Sequence, residues 1–193
     1  GRLGPGAPIK ISEIAPKLGI SRTPLRDALI RLETEGLVTI LPQRGVIVNP
    51  FTYKDLQNIS EMLGALESKI IMLVFHKIRA REIARFKSLN KKMTALAEKE
   101  NSDYKTYIDC NLQFHDVFLD LSENQLIVKH ISILKQRMYE FFDRDFGSEW
   151  QHLNVGEHDK FIQLVEAGDA KEAADYMRDV HWSSYPSMKY NGG

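Results

Sequence analysis

The sequence predicts a mainly α protein in two parts: an N-terminal winged helix-turn-helix over residues 1–50 and a C-terminal antiparallel all-helical bundle over 54–186. Three observations carry this. Residues 20–38 read as a capped basic helix that stops at a glycine and runs into a β-hairpin. Beyond Pro50, apolar residues recur at helical spacing through most of the remaining chain. No alternating β-pattern appears after the hairpin.

The first element is a short helix over Ser12 to Leu18, closed by Gly19. Proline is disfavoured in a helix interior, so Pro16 is explained if Ser12 is a late N-cap that leaves it near the first turn. The second helix starts at Ser21, whose hydroxyl suits an N-cap, with Pro24 in the first turn. Leu25, Ala28, Leu29 and Leu32 fall at i, i+3, i+4 and i+7 and form its apolar face. Arg22 and Arg26 lie one turn apart on another face. Cations at a helix N-terminus oppose the dipole, which suits an end that meets an external anion or a guanine edge. Gly36 fits a left-handed C-cap. Residues 37–41 and 46–48 are β-prone runs about the turn Pro42-Gln43-Arg44-Gly45, a hairpin with a basic tip.

Asn49-Pro50-Phe51-Thr52 breaks the pattern and leaves 51–53 as a linker. Thr52 caps a helix to about residue 78, with Leu56, Ile59, Leu63, Leu66, Ile70 and Leu73 as its stripe. Further helices follow over about 80–99, 103–121 and 124–146. A polar loop covers 147–154, and two last helices, 155–167 and 169–183, meet at Gly168. Met62, Met72, Met93 and Met138 read as packing residues. Residues 187–193 read as a tail.

Composition narrows the function. Basic and acidic residues balance at 26 each, but residues 1–50 hold seven basic against four acidic ones. A basic head on an acidic body suits nucleic-acid binding by the head alone. One cysteine, Cys110, excludes an internal disulfide and points to a reducing, cytoplasmic setting. No apolar run has the length of a membrane span.

Histidine placement is the second functional signal. His158 lies ten residues before Gly168 and His181 thirteen after it, so both sit roughly 15–20 Å from the turn of an antiparallel hairpin. If the helix bearing His115 packs at that level, three imidazoles converge, a usual set for Zn²⁺ or a similar divalent ion. Read singly, each is equally a hydrogen-bonded core or surface histidine. His76, His130 and His152 show no such pattern. A metal-dependent hydrolase is disfavoured: no nucleophile elbow, phosphate loop or His-Glu-x-x-His motif is present. Glu157 and Asp159 flank His158 in sequence, and so point away from its face. A direct metal sensor is a further alternative.

Two stretches resemble a known family. Gly1-Arg2-Leu3-Gly4-Pro5-Gly6, Ser21-Arg22-Thr23-Pro24-Leu25-Arg26-Asp27-Ala28-Leu29-Ile30-Arg31-Leu32, Glu35-Gly36-Leu37-Val38 and Arg44-Gly45 resemble GntR-type bacterial transcription regulators. Asn111-Leu112-Gln113-Phe114-His115, Glu157-His158 and Arg178-Asp179-Val180-His181 resemble the FCD effector domain of the FadR branch. The resemblance implies a homodimeric transcription regulator, repressor or activator, on a double-stranded DNA operator, not an enzyme, with a small carboxylate or related metabolite shifting the spacing of two DNA heads. It implies operator contacts from Ser21, Arg22, Thr23, Arg26, Arg31, Arg44 and Gly45. It also implies a first helix ahead of Gly1, so the domain is expected to be partial here.

In the bundle, the resemblance implies a metal on Asn111, His115, His158 and His181, most simply zinc, with nickel or manganese as alternatives. Asn111 stands where the family has aspartate, which leaves the site one negative charge poorer. Leu63 stands where the family commonly has a cavity-facing arginine, one turn before the equivalent of Glu67. Arg137 compensates if it points inward, and Tyr107 lines the pocket unless it is plain core.

Overall fold

The computed structural model describes residues 4, 6–99, 103–141 and 148–183, in two compact units, Gly1–Thr52 and Tyr53–Gly193. The Gly1-Arg2-Leu3 part of the motif, the 142–147 end of the sixth helix and the 187–193 tail lie outside the described residues.

In the first unit, β1 (Pro8–Ile9) leads into α1 (Ile11–Lys17) and α2 (Arg22–Thr34), then β2 (Val38–Leu41) and β3 (Gly45–Val48). The sheet order is β1-β3-β2, all antiparallel, with Ile9 opposite Val46 and Val38 opposite Val48. β1 was not foreseen: two residues beginning with proline carry no periodicity. Both helices end in the same left-handed device. Gly19 (φ 67) and Gly36 (φ 73) follow the C-caps, and the next amides, Ile20 N–H and Leu37 N–H, reach back to the carbonyls of Ala15 and Leu32 at 3.1 and 2.9 Å. Pro42 and Gln43 (φ 59) form the wing turn, closed by Arg44 N–H to Leu41 O at 3.0 Å. The core joins Ile9, Ala15, Leu25, Leu29, Val38 and Val46.

Three details of this unit correct the sequence reading. Lys10, not Ser12, is the N-cap of α1, so Pro16 sits inside the helix. The missing N–H is tolerated because α1 ends one residue later and Ser12 is exposed to water. Ser21 is the N-cap of α2 but makes no side-chain capping bond. Ala28 is exposed, and the buried face narrows to Leu25 and Leu29 with Leu32 half-buried.

The second unit comprises α3 (Tyr53–Val74), a 3₁₀ turn (Phe75–Lys77), α4 (Ala80–Ala97), α5 (Tyr104–Leu119), α6 (Gln125–Phe141), α7 (Ser148–Ala167), α8 (Ala170–Tyr176) and a π-helical segment (Met177–His181). α4 packs on α5 and α7, and α3 packs on α6, α8 and the π segment. Phe86, Phe114, Phe118 and Phe161 form an aromatic core, with Phe86 and Phe114 centroids 4.8 Å apart. No helix among the described residues is long and apolar enough to cross a membrane.

The predicted 147–154 loop is helix from Ser148. Its polar residues are held by tertiary contacts: Trp150, Gln151 and Asn154 are buried, and Tyr107 packs edge-on against Trp150. The α3 stripe also differs. Leu73, Met62 and Met72 are 45–51% exposed, whereas Gly64 and Glu67 are buried. Met93 and Met138 are buried as packing residues.

Candidate metal centre and nucleic-acid interface

α5, α7 and the π segment bring His115, His158 and His181 together, all buried, with one ligand atom of each within 4.8 Å of the others. A tetrahedral ion with bonds of about 2.1 Å wants its ligands about 3.4 Å apart, so each donor need move inward by less than ~1 Å.

The rings are oriented from behind. His115 Nδ1 donates to Glu67 Oε2 at 2.8 Å, and His181 Nδ1 donates to Glu157 Oε2 at 3.0 Å. A carboxylate only accepts, so each contact fixes the Nδ1–H tautomer and leaves Nε2 as the lone-pair nitrogen. His115 Nε2 and both nitrogens of His158 are buried without a hydrogen-bond partner. His158 is held by stacking on Phe114, with centroids 3.8 Å apart and planes 10° from parallel. Burial takes His115 down to about 3, with Lys135 and His181 adding to it against the pull of Glu67. Burial, then the neighbouring His181, His115 and Lys135, take His158 well below its usual value. Both rings are therefore neutral ligands at physiological pH.

Asn111 lies one turn before His115 and is fully buried. Its Nδ2 donates to Tyr139 Oη at 2.6 Å, and its Oδ1 has no hydrogen-bond partner. Unsatisfied buried acceptors are costly, so Oδ1 and the unpartnered imidazole nitrogens together have the character of an ion's donor set.

Glu67 is the hub of a network that sequence reasoning missed. It is 0% exposed, accepts from Trp182 Nε1 at 2.8 Å as well as from His115, and stands 2.6 Å from Lys135 Nζ. Burial alone would raise its carboxyl. The Lys135 ammonium and the hydrogen bonds from His115 and Lys135 outweigh that and hold it well below the usual carboxylate range. Lys135 is 3% exposed on the Ile131/Met138 face of α6. A lysine interrupting that apolar stripe was the available signal. Arg137, two residues and about 200° further round the helix, is half-buried. Tyr107 is buried, and its hydroxyl is hydrogen-bonded to Asn154 Oδ1 at 2.8 Å. Glu157, read only as a flank of His158, orients His181 instead. Asp159 is exposed, accepts from Asn90 at 2.6 Å and lines a surface groove of about 630 Å³ between α4 and α7. His76, His130 and His152 are exposed.

The π segment seats close against α3. A Cβ on Gly64 would meet Arg178 O at 3.1 Å and Trp182 Cβ at 3.3 Å. Gly64→Ala is therefore expected to push back the segment that carries His181 and to cost about 1–3 kcal/mol, read by urea denaturation. Unchanged stability would mean that the segment yields freely.

In the first unit, Ser21, Arg22, Thr23, Arg26, Arg31, Arg44 and Gly45 are all exposed. The first turn of α2 holds no acidic residue. Arg22 and Arg26 flank that end. Arg31 lies in the last turn, where a cation complements the helix dipole.

The comparisons agree with both halves. A family model for the FCD domain matches residues 58–181, and one for bacterial regulatory proteins of the gntR family matches residues 1–48. An HTH-type transcriptional regulator in the TAR-I ttuE-ttuC' intergenic region of Agrobacterium vitis is 30% identical over 118 residues, 60% of this chain and 68% of that protein. The HTH-type transcriptional repressor RspR of Escherichia coli is 28% identical over 181 residues, 89% of this chain and 76% of that protein. Among solved structures, E. coli McbR/YncC is similar in fold, with a TM-score of 0.74 at 20% sequence identity over 99% of this chain and 92% of that one.

Proposed function

The chain belongs to the bacterial gntR-type transcriptional regulators that carry an FCD domain, and on that premise we propose that it is a cytoplasmic homodimer controlling a double-stranded DNA operator through a divalent metal and a small anionic effector. Its relatives are transcriptional regulators rather than enzymes.

The metal sits on His115, His158 and His181, with the buried, unpartnered Asn111 Oδ1 the candidate for a fourth protein ligand. The observation that carries this reading is the convergence of three buried imidazoles, two of them anchored through Nδ1 to carboxylates. That is how metal-binding histidines are held, and it suits zinc first and nickel or manganese next. The effector completes the metal's shell. Lys135 takes the role of buried cation that the sequence had offered to Arg137, and Tyr107 shapes the wall through Asn154. A hydrolase finds little support: Asp159 faces away, and Glu157 is committed to His181.

On the operator, the exposed α2 N-terminus meets the major groove, with Arg22 and Arg26 at base edges or phosphates and the Ser21 and Thr23 hydroxyls on phosphate. Arg44 and Gly45 carry the wing to the adjacent groove. Repression is the proposed sense of control, because RspR is named a repressor.

Elemental analysis tests the metal centre. Substituting His115, His158 or His181 singly by alanine should each abolish bound metal after exchange against a weak chelator. Full occupancy in all three variants would overturn the site.

A further inference from the structure

His158 differs from its two companions. Glu67 anchors the His115 ring and Glu157 anchors the His181 ring, both through Nδ1. Neither nitrogen of His158 has a hydrogen-bond partner among the described residues. Stacking on Phe114 sets the plane of its ring but supplies no directional bond within that plane. The place of His158 therefore follows the place of α7 itself. A side chain reaching about 6 Å from the helix axis is carried about 1 Å when the helix turns by about 10°. That equals the whole inward movement the ion asks of each donor, and a working site holds its groups to within about 0.5 Å.

The neighbour that fixes α7 is α4. Asn90 of α4 is 2% exposed, and its Nδ2 donates both to the backbone carbonyl of Val155 at 3.0 Å and to Asp159 Oδ1 at 2.6 Å. Those two residues lie one turn apart on α7 and flank His158 in sequence. Both contacts are acceptors, so the amide faces them through its NH₂. Asn90 Oδ1 is left buried with no hydrogen-bond partner. Leucine would fill the same space without that cost, so packing does not explain the asparagine. One turn before Asn90, Phe86 packs on Phe114, the ring against which His158 lies. α4 thus stands behind His158 twice, through Phe86 and Phe114 and through Asn90.

Resting on the metal reading above, we infer that Asn90 is the positioning residue of the third imidazole. Its bonds to Val155 and Asp159 lock the rotation of α7 at the register in which His158 reaches the ion. It does for His158, through the backbone of α7, what Glu67 and Glu157 do for the other two rings directly.

Zinc titration of the full chain against a chromophoric chelator tests this, together with the visible spectrum of the cobalt-loaded chain. Asn90→Leu should weaken zinc binding by about 10- to 100-fold, the usual loss when an outer partner of a metal ligand is removed. The cobalt bands should change in position and intensity as His158 leaves the shell. Asn90→Ala adds no bulk, should behave in the same way, and serves if leucine prevents folding. Leu89→Ala is the control, a truncation of a buried residue on the same helix. It should lower stability in urea and keep the wild-type zinc affinity and cobalt spectrum. Wild-type affinity and spectrum in the Asn90 variants would overturn the positioning role and leave the metal site standing. An equal loss of affinity in Leu89→Ala would overturn it too, because the effect would then report stability alone. If the wild-type chain binds neither zinc nor cobalt, the metal reading itself falls.

Discussion

Lys135→Met should cost about 3–5 kcal/mol of stability, because removing one partner of a buried ion pair strands the other charge. Methionine fills nearly the same volume, so the loss reports charge rather than a cavity. Glu67 would keep two neutral donors, His115 Nδ1 and Trp182 Nε1, and lose the one cation paired with it among the described residues. Those donors stabilise a carboxylate but leave its charge uncompensated. The control is Lys135→Met combined with Glu67→Gln, which removes both charges and should recover most of the loss. Urea denaturation of the metal-free chain reads both. A single variant as stable as wild type would show that the Lys135–Glu67 contact is dispensable, and with it the neutral balance on which the buried shell depends.

The same residues show how far the sequence could be read. Helix existence was legible because apolar residues recur at helical spacing and because Gly19 and Gly36 occupy positions with φ near +70°. The gathering of His158 and His181 was legible because residues equidistant from a hairpin turn face one another. Lys135 was not legible as a site residue. A lysine on an apolar stripe usually snorkels to water, and only a carboxylate held by another helix keeps it inside. The π segment was hidden too. Its register depends on Gly64 of α3 letting the backbone come close, which no pattern within residues 177–181 records. The residues that began α7 looked like a loop because Gln151, His152 and Asn154 are polar. Asn154 is instead the hydrogen-bond partner of a buried tyrosine 47 positions earlier. Each of these three misses is a polar or irregular stretch whose partner is remote in sequence, and each lies in or beside the histidine cluster. Sites depart in this way from local sequence rules.

The second large effect is expected at the other end of the chain. Arg22 and Arg26 are exposed and one turn apart on α2, whose first turn has no acid to occupy it. Ser21 makes no side-chain capping bond, so its hydroxyl remains available to a phosphate. Both arginines are exposed and neither belongs to the core built on Leu25 and Leu29, so their replacement spares the core of the winged domain. A bidentate arginine–base contact is worth about 1–3 kcal/mol, so alanine at both positions should weaken specific binding by roughly 10²- to 10⁴-fold. The two kinds of contact separate by salt. Loss of a phosphate contact lowers the slope of log affinity against log salt by about 0.9, whereas loss of a base contact leaves that slope nearly unchanged and relaxes sequence preference. The operator is obtained first by selecting tight binders from random duplexes with the wild-type regulator. Each variant is then titrated on it at several salt concentrations. Thermal unfolding at the wild-type temperature confirms that the head is intact. If the double variant binds the selected duplex with undiminished affinity, α2 is not the element that reads DNA, and the basic wing around Arg44 becomes the place to look.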